Sequence, residues 1–546
     1  MIKQIKLITE RSGTSLDFDA FLEYTHIIEN SQNKFKIDFL QDTILEKMFL
    51  EIEFDEAPSF LRGADYTWKA TSTQYLTANY HSPKILKFSN ETYVSATVPT
   101  GCWEWDSKRQ KLLWYVIHPD LNPTFLYDKE DKREWITEVK LSSGTSFSLG
   151  LFEGVGPIPE VARSPIGFVP TVCFTDHCDF DTPVLLAAQR EFFSAVGIKT
   201  TKGLFLHTFS HKGDYAALDQ KGMMEEFLKW EKDGHELAYH ALSRSFRKES
   251  WEEFEKLTSP SGLKDISTYI DHGYLEYNYT KQPSSKKLGW YKHMEEKGVK
   301  LIWNYLDVIE GNALSNNQLS SSDLSIESIK KARDLHSEYK LPIDKKRETK
   351  TWLAYATNEN LDKGIKSLNT VLAKRKQYGV KKVLSAGFVL IPEVLNPDIW
   401  KRNLLEKKKP FHFARFSPVF FKGMNQEGTS IAVFQTISVK DFVSVFSKPS
   451  LNKLTEECGL IIAHTYFGFL GGNHPGRMFM NENGDLNPAA KESLSLLGEE
   501  IKEGRIWNPT VNELYSFHQK LENLTLEVID GQLKAINSPA EVRYID

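Results

Sequence analysis

Two patterns of apolar positions divide the chain. Up to about residue 165, short runs such as Lys84–Ser89, Thr92–Val98 and Lys111–Ile117 alternate or are rich in β-branched and aromatic residues. Turn residues separate them, which predicts strands. The proline- and glycine-containing stretch Gly154–Glu160 reads as a linker. After it the rhythm changes. Thr182–Pro183 reads as an N-cap followed by proline at the first helical position. Leu185, Leu186, Phe192, Phe193 and Val196 then recur at helical spacing, Gly197 is a natural stop, and Gly203–Thr208 is strand-like.

The unit recurs down the chain. Met223, Met224, Phe227, Leu228 and Trp230 form a helical face that ends at Asp233–Gly234. His293–Gly298 precedes Val299–Asn304, Leu368–Tyr378 precedes Val380–Leu384, and Leu451–Cys458 precedes Leu460–Ala463. Helix, glycine and apolar strand in repetition predict β/α units around a parallel sheet or barrel. In such folds the chemistry gathers at the C-terminal ends of the strands. Residues 311 to about 365 are polar and charged and break the rhythm, which predicts an insertion on the solvent side.

At 546 residues the chain exceeds one typical core. The expected division is a β-rich accessory domain at 1–165, a (β/α) barrel at 166–525 and a C-terminal tail at 526–546. Trp103, Trp105 and Trp114 suit either a packed sandwich core or a sugar-stacking platform. The net charge of −5 is modest and spread out, so no nucleic-acid partner is expected. No run approaches the length of a membrane span, and the first ten residues lack the apolar stretch of a signal peptide. A cytoplasmic location follows as the expectation. Cys102, Cys173, Cys178 and Cys458 show neither a C-x-x-C pair nor zinc-finger spacing, so reduced thiols are expected.

Candidate chemistry concentrates in four places. "FTDHCDFDT", residues 174–182, ends an apolar run with Asp176, His177, Asp179 and Asp181. A polar turn feeding a helix, with Asp181 helping to cap it, accounts for the same residues. "DGHELAYHALSRS", residues 233–245, brings His235 and His240 to another strand end. Neutral imidazoles beside carboxylates are the donors that zinc and related divalent ions take. Asp271–His272–Gly273 follows the run Ile266–Ile270, and His464 follows Leu460–Ala463.

The order Phe174–His177, Thr182–Leu186, Gly197–Leu206 and Gly234–Arg244 resembles the polysaccharide deacetylases of carbohydrate esterase family four, the NodB-homology group. The likeness covers residues 170–245; the rest of the chain matches only loosely. It implies a distorted (β/α) barrel and metal-dependent removal of N- or O-acetyl groups from a carbohydrate substrate. By position it makes Asp176 the general base, puts His177 where the family has a metal-binding aspartate, and makes His240 the first metal histidine. Arg244 stands where the second should be, and a guanidinium has no lone pair to offer a cation. His272 is proposed as the replacement, with Asp179 or Asp181 replacing or supplementing His177. The alternative role for Asp271 is to orient a liganding imidazole. The family's late apolar-apolar-histidine signature makes His464 the general acid.

The reading is therefore a zinc-dependent hydrolase with Asp176 and His464 as catalytic residues and His177, Asp179, His240 and His272 as metal ligands. Two alternatives are carried beside it: an inactive deacetylase relative that binds sugar without cleaving it, and a metal-dependent hydrolase of another bond, such as a phosphoester.

Overall fold

The computed structural model describes residues 1–328 and 414–546, apart from 30, 73–75, 80, 128–132, 209–214, 243–259, 273–283, 326, 424–428, 473 and 475. Between 329 and 413 it describes four isolated positions. The expected elements at Leu368–Tyr378 and Val380–Leu384, and Arg244, lie outside the described residues.

The N-terminal part is β-rich. A six-stranded sheet holds Ile2–Arg11, Lys47–Phe54, Lys111–Ile117 and Cys102–Asp106, and a seven-stranded sheet holds Gln32–Phe39, Ser146–Val155 and Thr92–Ala96. Neighbouring strands run antiparallel. Phe35, Ile37, Val94 and Leu151 of one sheet share a core with Leu50, Ile52 and Leu112 of the other. Trp103, Trp105 and Trp114 lie in that same core. They are packing residues, with their rings enclosed between the sheets.

Seven parallel strands follow and close into a barrel. They are β1 (Thr171–Asp176), β2 (Thr201–Leu204), β3 (Glu236–Tyr239), β4 (Thr268–Ile270), β5 (Leu301–Glu310), β6 (Ala432–Ser438) and β7 (Leu460–Thr465). Each pairs with the next, β5 pairs with β6, and β7 returns to β1. The helices include α1 (Pro183–Val196), α2 (Met223–Lys232), α3 (Ser284–Glu296), α4 (Lys448–Glu456), α5 (Pro488–Lys502) and α6 (Val511–Glu522). No described helix is long and apolar enough to cross a membrane.

Strand alternation explains the continuous apolar runs. Cys173, Ala238, Ile270, Leu301, Trp303, Phe434 and Ile462 pack together inside the barrel. Their neighbours Val172, Phe174, Leu237, Tyr269, Ile302, Val433 and Ile461 pack outward with Leu185, Phe193, Phe227, Trp230 and Leu494 of the helices. A strand buried on both faces needs apolar residues at every position. The N-terminal rim is closed by α6, where Val511 N donates to Thr201 Oγ1 and Asn512 N donates to Glu236. The opposite rim carries the histidines.

Local signals place α1 as the spacing predicts. Thr182 Oγ1 accepts from Leu185 N, proline stands in the first turn, and Gly197 adopts φ 78 at the end.

Three expectations need correction. The linker read at Gly154–Glu160 is mostly strand: Ser146–Val155 ends within it, and Ile158–Val161 pairs with Val542–Ile545. The C-terminal tail read at 526–546 is instead a hairpin, Thr525–Ile529 with Gln532–Ile536, followed by that returning strand. Buried Glu160 binds Arg62 and Arg543 there. The start of the insertion, read as solvent-side, is buried at Asn316, Asn317, Gln318 and Leu319. Its amides serve the barrel backbone: Leu460 N and Leu319 N donate to Asn317 Oδ1, Ile462 N donates to Gln318 Oε1, and Gln318 Nε2 donates to Gln435 O. Polarity in that segment is consumed by hydrogen bonds. The rest of it lies outside the described residues.

Candidate metal centre

Three strand ends converge. β1 delivers the loop that carries His177 and Asp179, β3 delivers His240, and β4 delivers His272. His177, Asp179 and His240 each offer a ligand atom, and these atoms lie within 4.8 Å of one another, a group that could hold a metal ion. His272 joins them, with Nε2 2.6 Å from Asp179 Oδ1. His240 Nε2 is 3.0 Å from Asp179 Oδ2.

The backbone is bent to achieve this. Immediately after His240, Ala241 adopts φ 61. A non-glycine residue there costs about 1–2 kcal/mol, which the surrounding packing offsets. Gly203 on β2 is needed beside it. A Cβ there would stand 2.9 Å from Asp176 O and 3.2 Å from the Cβ of His240.

Proton positions bear on what the group can bind. His240 Nδ1 lies 2.9 Å from Ile270 O. A carbonyl only accepts, so Nδ1 donates and takes the one proton of a neutral imidazole. Its Nε2 is then a lone pair that faces a carboxylate oxygen. Two acceptors in contact ask for a cation between them. His177 Nε2 is buried and has no hydrogen-bond partner among the described residues.

The titration tendencies agree. Burial, then His464 and His240, hold His177 well below the ordinary imidazole value. Burial also lowers His240, with Asp179 opposing it. Burial alone would raise the Asp179 carboxyl, but His272 and His240 hold it well below the usual range. Lowered imidazoles at His177 and His240 beside an ionised Asp179 carboxylate are the protonation states a divalent ion takes.

His464 stands on the other side. Its ring stacks on His177, with centroids 4.0 Å apart. Its Nδ1 lies 2.9 Å from Asp307 Oδ1, and its Nε2 is buried without a hydrogen-bond partner among the described residues. Asp307 also accepts from Thr436 Oγ1 at 2.6 Å. Burial would raise the Asp307 carboxyl, and His464 and Thr436 hold it below its ordinary value.

Asp176, expected as the general base, is sealed elsewhere. It is fully buried. Its Oδ2 binds Lys202 Nζ, and its Oδ1 accepts from Thr465 Oγ1 and Phe467 N, each at 2.9 Å. In this arrangement both carboxylate oxygens are held by protein groups, Lys202 on one side and Thr465 and Phe467 on the other. Asp181, an alternative ligand, is also bound to Lys202 and accepts from Gln189 Nε2 at 2.7 Å. His235 packs on Trp230 and accepts from Thr200 N, apart from the group. Cys178 is buried.

Sequence reasoning missed Lys202 and Asp307. Lys202 stands just before the run read as strand, Gly203–Thr208, whereas β2 begins at Thr201 and buries it. Asp307 lies within β5, which continues to Glu310, whereas the predicted strand stopped at Asn304. No protein-family model matches the chain, and no curated protein matches its sequence.

Proposed function

We propose that the chain is a metal-dependent hydrolase that removes acetyl groups from a sugar or glycan, with zinc as its ion. The observation that carries the reading is the convergence of His240 Nε2 and His272 Nε2 on the two Asp179 oxygens, at 3.0 and 2.6 Å, beside His177. Three imidazoles and one carboxylate suit zinc and its neighbours better than magnesium or calcium, which take oxygen donors. The acetylated sugar comes from the order of motifs over residues 170–245.

Bound there, a divalent ion supplies Lewis-acid activation of a carbonyl and of water. His177, Asp179, His240 and His272 hold it. His240 is aimed by its Nδ1 bond to Ile270 O. Asp307 fixes the tautomer of His464 and leaves Nε2 free to take a proton from the attacking water. The same atom then returns a proton to the departing amine or alkoxide. Asp307 stabilises the imidazolium between those two moments, so one residue carries both the base and the acid roles.

The test is acetate release from a panel of N- and O-acetylated oligosaccharides by the zinc-loaded protein. His464→Ala should lower the rate about 10²–10⁴-fold. A zinc-loaded protein that releases no acetate from any member, or a His464→Ala variant as fast as wild type, ends this reading.

A further inference from the structure

Four fully buried polar side chains lie behind the metal-ligand loop: Asp176, Asp181, Gln189 and Lys202. Lys202 stands in register with Asp176 on the neighbouring strand. Its Nζ donates to Asp176 Oδ2, to Asp181 Oδ2 and, at 2.8 Å, to Gln189 Oε1. An ammonium group has three protons to donate, and all three are used. Burial lowers the Lys202 pKa, but the two carboxylates outweigh it and keep the amine charged.

The two aspartates are not arbitrary partners. Asp176 is the last residue of β1, and Asp181 immediately precedes the cap of α1. Between them lie only His177–Phe180, the loop that carries two of the donors. One buried cation therefore grips both ends of that loop. The barrel wall fixes it again, where His177 N donates to Thr465 O at 3.0 Å and Thr465 Oγ1 donates to Asp176.

We propose that Lys202 is a positioning residue for the metal: it clamps the loop at Asp176 and Asp181 so that His177 and Asp179 meet His240 and His272 in one geometry. The inference rests on the metal reading above. It gives Asp176 a role in place of the base, and it explains why a lysine lies inside a fully buried strand. Holding a ligand by a partner outside the coordination sphere typically changes metal affinity about 10–100-fold.

The test uses cobalt(II) as the probe. Wild type, Lys202→Met, Asp181→Asn and His240→Ala are titrated with cobalt(II), and affinity and the visible ligand-field spectrum are recorded beside circular dichroism. Lys202→Met leaves two buried carboxylates without a counter-charge, so it is the variant at risk of misfolding. Asp181→Asn replaces the charged bond to Lys202 by a weaker neutral one and so loosens only one end of the loop. The clamp requires folded Asp181→Asn to bind cobalt(II) about 10–100-fold more weakly with an altered spectrum. Lys202→Met, where it folds, should show at least as much. A folded Asp181→Asn with wild-type affinity and an unchanged spectrum overturns the clamp alone. A wild type that binds no cobalt(II), or a His240→Ala variant that binds as tightly as wild type, overturns the metal reading and the clamp with it.

Discussion

His464 turns its Nδ1 toward both oxygens of Asp307, at 2.9 and 3.0 Å, and keeps its Nε2 buried, without a hydrogen bond to any described residue. The carboxylate decides which nitrogen carries the proton. Asp307→Asn keeps the shape and removes the charge that favours the Nδ1–H tautomer and the imidazolium. Acetate release by Asp307→Asn should therefore fall about 10²-fold or more, through kcat rather than KM. A variant with wild-type kcat would show that the pair is structural.

Gly203 should behave as a spacer between strand ends. Alanine there places a Cβ 2.9 Å from Asp176 O, so β1 and β3 must part. Gly203→Ala should cost about 1–3 kcal/mol in urea unfolding and weaken metal binding. Gly289, within α3, is a fitting control because nothing lies within 4 Å of its added Cβ. Gly289→Ala should stabilise by about 0.5–1 kcal/mol, since alanine is the better helix former. Equal effects at the two positions would contradict the close approach.

His235 should make stability sensitive to acid. Burial against Trp230 pushes its pKa down to about 4. The unfolded imidazole titrates near 6.5, so the folded state favours the neutral ring. That contribution is complete above pH 6.5 and is lost as pH falls toward 4. Between pH 7 and pH 5 the loss is on the order of 2 kcal/mol. His235→Gln removes the titration and keeps an acceptor for Thr200 N. Urea unfolding of the two proteins should diverge by that amount across this range. Parallel curves would show that His235 titrates alike in both states.

Much of the fold was legible because its signals are local. Thr182, Pro183 and Gly197 fix the ends of α1, and buried parallel strands leave continuous apolar runs such as Val172–Phe174. The polar run at Asn316–Gln318 misled because its hydrogen bonds reach Gln435, Ser450, Leu460 and Ile462, far away in sequence. The returning strand Val542–Ile545 was equally hidden, since its partner lies at Ile158–Val161. At the site, the chelating residues stood out at three strand ends. The division of labour among them did not. Whether Asp176 meets a substrate or a lysine depends on Lys202, whose side chain reaches it across a neighbouring strand.

The central claim is that His177, Asp179, His240 and His272 hold one divalent ion. The most direct measurement is metal content by plasma mass spectrometry on wild type, His240→Ala and His272→Ala, purified without chelator and then incubated with zinc and desalted. The account requires about one ion per chain in wild type and loss of most of it in both variants, with circular dichroism unchanged. A wild type that carries no ion after zinc incubation, or variants that retain it in full, would contradict the account.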